Sequence, residues 1–223
     1  MDGLPPYKEN KEMLFVAPVR EFVYAVLSED AVLILANMNK KMNPRRESVS
    51  VDSNWLHDLF TRIDKDNSGS ISNDELQQAL TNGSGTTFNA ETIRLMIGMF
   101  DKDNSGEIEF SEFLALWKYI MDWERTFRSY DKDCSGTIDK DELRVAFTSF
   151  GHNFSEEMLD MFVTKFDRSG QGAIRFDDFI QCCVVLQILT NAFKYHDQSM
   201  RGVITLRYEE FIRMILNLNL GKW

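Results

Sequence analysis

Residues 131–142 read DKDCSGTIDKDE, a polar, acidic stretch with one glycine at its centre. The same skeleton, in which a glycine is followed two residues later by an isoleucine, recurs along the 223-residue chain. The five pairs are Gly69/Ile71, Gly106/Ile108, Gly136/Ile138, Gly172/Ile174 and Gly202/Ile204. A glycine at a fixed place in a repeated polar segment indicates a sharp turn with positive φ. The repeat therefore predicts five copies of one turn-forming unit.

This skeleton is that of the calcium loop of an EF-hand, in which twelve residues wrap one ion. Position 6 is a glycine because the chain turns sharply there, and the apolar residue at position 8 forms a short strand-like contact with the neighbouring loop. We number the loops one to five by their first residues, which are Asp64, Asp101, Asp131, Asp167 and about Asp197. Five such loops at alternating long and short intervals predict a five-handed protein.

The two short intervals contain neither Gly nor Pro, namely residues 113–130 and 179–196. Each is long enough to be one helix that leaves one hand and enters the next. The long intervals contain the breakers TNGSGTTFN and SFGHNFS, and Thr87, Asn89 or Ser155 is the N-cap of a helix that follows. Hands one and two therefore form one pair, hands three and four form another, and hand five is left without a partner.

We thus predict an all-α fold: a penta-EF-hand array of two EF-hand pairs plus an unpaired fifth hand, with short β contacts between paired loops. The predicted hands are residues 54–84, 91–120, 121–150, 157–186 and 187–216 of a domain spanning 51–223. All four prolines precede residue 45, so residues 1–50 form an N-terminal extension. Within it, residues 19–39 are predicted to be a helix that packs on the domain or, alternatively, binds a membrane surface or a partner.

Loops one to three carry the oxygen set that calcium requires, with side chains at positions 1, 3, 5 and 12, a carbonyl at 7 and often a water-mediated contact at 9. The predicted ligands are Asp64, Asp66, Ser68, the Ser70 carbonyl and Glu75 in loop one; Asp101, Asp103, Ser105, the Glu107 carbonyl, Glu109 and Glu112 in loop two; and Asp131, Asp133, Ser135, the Thr137 carbonyl, Asp139 and Glu142 in loop three. Glutamate at position 12 supplies two oxygens. Ca²⁺ is therefore the predicted cofactor.

Loops four and five keep the turn but lose ligands. Loop four has Arg175 at position 9 and the shorter Asp178 at position 12, so we expect very weak binding at most. Loop five has Arg201 at position 5 and Tyr208 at position 12, and we expect no calcium there. The unpaired fifth loop predicts a dimer, because its free strand can pair with a twin across a two-fold axis.

The composition narrows the function classes. A net charge of −10 argues against a nucleic-acid-binding protein. Three cysteines, an odd number, give no disulfide framework and favour a reducing compartment. The N-terminus lacks the pattern of a signal peptide, and charge-free runs such as residues 22–28 and 31–39 are too short to span a bilayer. We therefore expect a soluble cytoplasmic protein, and no nucleophile–base constellation predicts an enzyme.

Three segments carry a resemblance to a known family: LWKYIMDWERTFRSYD (116–131), ELRVAFTSFG (142–151) and KFDRSGQGAIRFDDFIQCCVVLQ (165–187). They resemble the penta-EF-hand family, in its subgroup of programmed cell death protein 6 and peflin. The resemblance implies a calcium-responsive adaptor that dimerises through its fifth hand, as a homodimer or a heterodimer. It also implies apolar pockets that open with calcium and take up proline-rich segments of membrane-trafficking partners, with peripheral attachment to endoplasmic reticulum or endosomal membranes.

The resemblance also suggests partner-binding residues. Trp117, Tyr119, Ile120 and Trp123 match the family's pocket-forming helix, and Phe150 matches a segment that tunes partner choice. From the residues alone, core packing is favoured for the two tryptophans, with a pocket wall as the alternative. Three alternatives to the adaptor remain open: a calcium buffer, a heterodimer partner without its own target groove, and the regulatory subunit of a calpain-like protease. Loop two is complete here, whereas the subgroup often has a defective second loop.

Overall fold

The computed structural model describes residues 53–81 and 85–218, which form helices and four short strands. The helices are α1 (Ser53–Ile63), α2 (Asn73–Ala79), α3 (Ala90–Phe100), α4 (Phe110–Tyr130), α5 (Lys140–Ser149), α6 (Glu156–Phe166), α7 (Phe176–His196) and α8 (Tyr208–Leu216). The strands are β1 (Ser70–Ile71), β2 (Ile108–Glu109), β3 (Thr137–Asp139) and β4 (Ala173–Arg175). The predicted extension over residues 1–50, with its helix, lies outside the described residues.

The short strands join the loops in pairs, which confirms the predicted all-α fold with β contacts between paired loops. Strand β1 pairs antiparallel with β2, placing Ile71 opposite Ile108, and β3 pairs with β4, placing Ile138 opposite Ile174. All four isoleucines are completely buried. Within the described part of the chain, loop five forms no strand, and its Ile204 is only half-buried. Among residues 53–81 and 85–218, hand five therefore has no β-strand partner.

Two long helices each serve two hands, as the segments without Gly or Pro predicted. Helix α4 has 21 residues, begins within loop two and ends at Tyr130, directly before Asp131, the first residue of loop three. Helix α7 has the same length and connects loop four to Asp197 of loop five in the same way. The predicted division at residues 120/121 therefore falls inside one continuous helix. Because α4 is continuous, a movement of its N-terminal end at loop two is transmitted to loop three.

Polar caps explain where helices start after the breaker segments. Asn89 caps α3, because its side-chain oxygen accepts a hydrogen bond from the backbone N–H of Glu91 at 3.0 Å. Ser155 caps α6 through the N–H of Met158 at 3.3 Å. Thr87 is not an N-cap residue and instead forms an isolated β-bridge with Thr81. Of the three predicted N-cap residues, Asn89 and Ser155 directly precede a helix and cap it, as an N-cap requires.

One core runs through hands one to four and is rich in aromatic rings. Phe60 meets Phe113 with ring centroids 5.5 Å apart, and Phe127 meets Phe179 at 5.6 Å, both edge to face. Such edge contacts add specific geometry to the burial of apolar area. Helix α8 differs from the rest, because it contributes no buried side chain to this core.

Helix α7 is the one helix of the described residues that is long and apolar enough to cross a membrane by length and composition. Half of its apolar window is buried inside the fold, and the core helix of a soluble protein passes the same test. Its apolar run is longer than residues 22–28 and 31–39, on which the sequence argument against a membrane span relied. That argument overlooked α7, and the burial of its side chains accounts for the apolar composition.

Candidate calcium sites

The three predicted complete loops each bring three carboxylates together. The groups are Asp64, Asp66 and Glu75; Asp101, Asp103 and Glu112; and Asp131, Asp133 and Glu142. In each group one oxygen per residue lies within 4.8 Å of the others. Oxygens that surround one Ca²⁺ at about 2.4 Å can be at most twice that distance apart, so the spacing fits a single ion. Three carboxylates this close repel one another, and a divalent cation offsets the repulsion.

The serine at position 5 and the carbonyl at position 7 add two neutral oxygens to each group. Ser68 Oγ lies 3.0 Å from the Ser70 carbonyl oxygen, and Ser135 Oγ lies 3.1 Å from that of Thr137. The corresponding distance between Ser105 and Glu107 in loop two is 3.2 Å. Carboxylate, hydroxyl and carbonyl oxygens are the donors that Ca²⁺ prefers. The residues present therefore fit a calcium ion in all three loops.

The position-9 residues are placed differently. The Asp139 carboxylate accepts a hydrogen bond from the backbone N–H of Glu142 at 2.9 Å and caps α5. Glu109 is exposed and is the N-cap residue of α4. Neither belongs to the carboxylate trio of its loop. A position-9 side chain commonly reaches the ion through water, so the assignment of Glu109 and Asp139 as ligands stays a prediction.

The turn of each loop is held by the carboxylate at position 1. In loop one, the Asp64 carboxylate accepts hydrogen bonds from the backbone N–H groups of Ser68 and Gly69, both at 2.9 Å. Gly69 has φ +89° and Asn67 has φ +56°, so the chain passes twice through the left-handed region. Glycine enters this region without steric cost, and asparagine enters it more readily than most residues. The repeated Gly therefore marks the turn, as predicted.

The glutamate at position 12 closes each loop onto itself. The Glu75 carboxylate accepts the backbone N–H of Lys65 at 2.8 Å through one oxygen and that of Ser72 at 2.9 Å through the other. Glu112 and Glu142 receive matching pairs of hydrogen bonds. Burial alone would raise the pKa of Glu75, but the hydrogen bonds from Ser72 and Lys65 outweigh it and lower that pKa. The carboxylate is therefore ionised at neutral pH and ready for a cation.

Loops one and two also touch through side chains that bind no ion. The Ser70 hydroxyl donates a hydrogen bond to the carboxylate of Glu107 across the β1–β2 pair. The carbonyl groups of these same two residues are the predicted position-7 ligands. The Glu107 carboxylate thus adds a negative charge between two calcium loops without belonging to either trio.

Loops four and five retain the turn without the ligand set, and loop four also retains its strand β4. The Asp167 carboxylate accepts the backbone N–H of Gly172 at 2.6 Å, and that of Asp197 accepts the N–H of Gly202 at the same distance. Within residues 53–81 and 85–218, three-carboxylate clusters occur in loops one to three and not in these two. Arg175 was predicted to oppose calcium in loop four, whereas no role was predicted for Arg168 at position 2. The Arg168 guanidinium contacts both oxygens of the position-12 carboxylate of loop four.

The predicted partner-binding residues of α4 belong to the packed interior in this conformation. Trp117 and Ile120 are buried, whereas Tyr119 and Trp123 are half-buried. Burial raises the pKa of Tyr119 to about 12. Phe150, also half-buried, packs its ring against that of Tyr130 with a centroid distance of 5.7 Å. Core packing therefore describes the tryptophans here, and their role in partner binding stays a prediction.

The family model of the EF-hand domain pair matches the chain twice, over residues 53–118 and 120–183. Sorcin of Schistosoma japonicum is 46% identical over 162 residues, which cover 73% of this chain and 94% of that protein. The chain belongs to the penta-EF-hand family. Together with the three carboxylate clusters, this membership confirms both the resemblance and the predicted cofactor, Ca²⁺.

Other relatives of this penta-EF-hand protein support the same family. Human peflin is 44% identical over 156 residues, which cover 70% of the chain but only 55% of peflin, so the chain spans about half the length of that relative. Human sorcin is 39% identical over 154 residues, or 77% of its length. A solved homologue of programmed cell death 6 protein from Leishmania major Friedlin superposes with a TM-score of 0.65 at 33% identity, covering 73% of this chain and 93% of that one.

Proposed function

We propose that this calcium-binding protein is an adaptor that exposes apolar pockets for proline-rich segments of membrane-trafficking partners when loops one to three bind Ca²⁺. One observation carries the proposal. Glu75, Glu112 and Glu142 are each the third residue of the helix that leaves a calcium loop. An ion that recruits such a carboxylate must shift the helix attached to it, so binding is coupled to helix orientation.

Helix α4 is the element that converts this shift into partner binding. It carries Glu112 at its start and the buried Trp117 and Ile120 one to two turns later. Among the described residues, the buried indole N–H of Trp117 has no hydrogen-bond partner. A buried donor without an acceptor is costly. Proline-rich segments offer exposed backbone carbonyls in an extended helix, which supports them as the partner class.

Binding of a hydrophobic dye and of a proline-rich peptide, each in calcium and in chelator, tests the adaptor. We expect fluorescence and peptide binding to rise with calcium in the wild type. The variant Glu75→Gln/Glu112→Gln/Glu142→Gln should lose the rise, because each amide replaces the carboxylate that closes a loop. An equal signal in calcium and chelator for the wild type would refute the adaptor proposal.

A calcium buffer is the second candidate, and one observation favours it. The closing glutamates are already turned into their loops by hydrogen bonds from the loop backbone. A loop that is closed beforehand needs little rearrangement when it takes up an ion. Titration calorimetry combined with circular dichroism distinguishes the candidates: calcium uptake without a change in helix signal or dye binding indicates a buffer.

We also propose that hand five forms a dimer interface, with a second copy or a related chain. Helix α8 is amphipathic yet buries none of its side chains. Tyr208 and Leu216 are 81% and 73% exposed, and Phe211 and Val203 are exposed as well. A row of exposed apolar residues beside an unpaired loop is typical of a protein–protein contact. Sedimentation should show a dimer for the wild type and a monomer for Phe211→Asp, whereas a wild-type monomer would exclude the homodimer.

The proposed location is the cytoplasm, with peripheral, calcium-dependent attachment to endoplasmic reticulum or endosomal membranes through partners. The three cysteines are free thiols, and Cys182 and Cys183 are buried side by side in α7, which fits a reducing compartment. We propose no catalytic activity for the chain. Fractionation of cells in calcium and in chelator tests the location: a protein that stays with membranes in chelator would contradict calcium-dependent attachment.

A further inference from the structure

Loop four contains a cation of its own, the guanidinium of Arg168. Its Nε lies 2.7 and 2.9 Å from the two carboxylate oxygens of Asp178, the position-12 residue. Its Nη2 lies 2.6 Å from the carboxylate of Asp177. The side chains of Asp177 and Asp178 are 0% and 2% exposed, so one arginine holds two adjacent buried carboxylates. Two such charges without a partner cation would strongly destabilise the fold.

The same two carboxylates bind the start of the helix that enters loop two. The backbone N–H of Asn89, the N-cap residue of α3, donates to Asp177 at 2.7 Å, and the Asn89 side-chain amide donates to Asp178 at 3.0 Å. Thr92, in the first turn of α3, donates to the backbone carbonyl of Asp177 at 3.1 Å. These contacts join residues more than eighty positions apart and connect the two EF-hand pairs.

We propose that Arg168 is a built-in cation that closes hand four in place of calcium and, through Asp177 and Asp178, fixes the N-terminus of α3. The position-12 carboxylate of loop four, Asp178, contacts Arg168 and Asn89. The position-12 carboxylate of loop one, Glu75, contacts backbone N–H groups of its own loop instead. An arginine side chain cannot dissociate as an ion does. Hand four therefore stays closed at every calcium concentration.

This assignment gives hand two one helix whose N-terminus is anchored. Helix α3 is fixed to hand four at its N-terminus, whereas α4 carries the closing residue Glu112 of loop two in its first turn. A change in loop two then leaves the N-terminus of α3 in place. The inference goes beyond the proposed adaptor function, because a fixed α3 does not depend on whether any partner binds.

Thermal unfolding and amide hydrogen exchange of the full chain, each in chelator and in saturating calcium, test the proposal. Arg168→Gln should lower Tm by roughly 5–10 °C, because two buried carboxylates lose their cation. It should also speed amide exchange in the first turn of α3, far from the substitution in sequence. Both effects should be present in chelator, where no ion occupies any loop.

Arg175→Gln is the matched control, since it removes the same charge from the same loop at a residue without a carboxylate contact in the described structure. We expect it to change Tm by about 1 °C or less and to leave exchange in α3 unchanged. If Arg168→Gln does not fold, Asn89→Ser replaces it, because serine keeps the cap oxygen but lacks the amide donor to Asp178. Unchanged α3 exchange in the variant used, or wild-type protection of loop four only in calcium, would overturn the proposal.

Discussion

Glu124, in the middle of α4, is a buried carboxylate that should make stability depend on pH. Its side chain is 6% exposed, and Arg128, one turn later, donates a hydrogen bond to one of its oxygens. No described residue reaches the other oxygen, which is buried. Burial raises the pKa of Glu124 from its ordinary 4.5 to about 7, although Arg128 and Arg125 oppose the rise.

The sign of the effect follows from this rise. The folded protein holds the proton more tightly than the unfolded chain, so the contribution is fully present below pH 4.5 and is lost as the pH rises through 7. Each tenfold change in the ionisation equilibrium is worth about 1.4 kcal/mol, so the complete loss is about 3 kcal/mol. Between pH 5.5 and 8 about 2 kcal/mol of it should disappear.

Glu124→Gln tests this directly, because the amide stays neutral at every pH and still offers Arg128 an oxygen. We expect the Tm of the variant, relative to that of the wild type, to rise by roughly 4–8 °C between pH 5.5 and pH 8, measured by circular dichroism in chelator. Glu157→Gln, at an exposed position near the start of α6, is the control. Its Tm should differ from that of the wild type by the same amount at both pH values. A Tm difference between Glu124→Gln and the wild type that does not increase with pH would refute the reasoning.

Three further predictions concern the loops. Glu142→Gln should weaken calcium binding in loop three by at least about ten-fold, which calorimetry would register as one site fewer. Cys134→Asn should raise Tm in chelator by about 1–2 °C, because Cys134 has φ +58° where loop one has Asn67 at φ +56°; an unchanged Tm would contradict this. Glu107→Gln should lower calcium affinity in loops one and two by about two- to five-fold, an effect that high salt should abolish in the same titration.

Local spacing accounts for most of what could be predicted. The twelve-residue loops set the turn and the closing glutamate within a single segment, so Asp131 and Glu142 meet without help from the rest of the chain. The uninterrupted segment 113–130 likewise predicted α4 as one helix, because a chain without Gly or Pro continues once it has started. The fold class follows from five repeats of this unit.

Burial and distant contacts could not be predicted in the same way. The sequence placed Trp117 on α4 and favoured core packing for it, but a pocket wall stayed open as the alternative, since both need an apolar side chain. It offered no sign that the carboxylate of Glu124 would be enclosed, because glutamate is seldom buried, even on a helix face that it shares with Ile120 and Phe127. The apolar run of α7 was overlooked for a related reason: its burial depends on the helices that cover it.

The amino-acid sequence by itself determined the five turns and which three loops have a full set of oxygens, because those features depend on residues at most twelve positions apart. Only the tertiary structure decided that Arg168 takes the place of a cation in loop four and that Asn89 shares its carboxylates. Asn89 and Asp178 meet because α3 packs on α7. A contact between residues 89 positions apart produces no periodic pattern in the sequence.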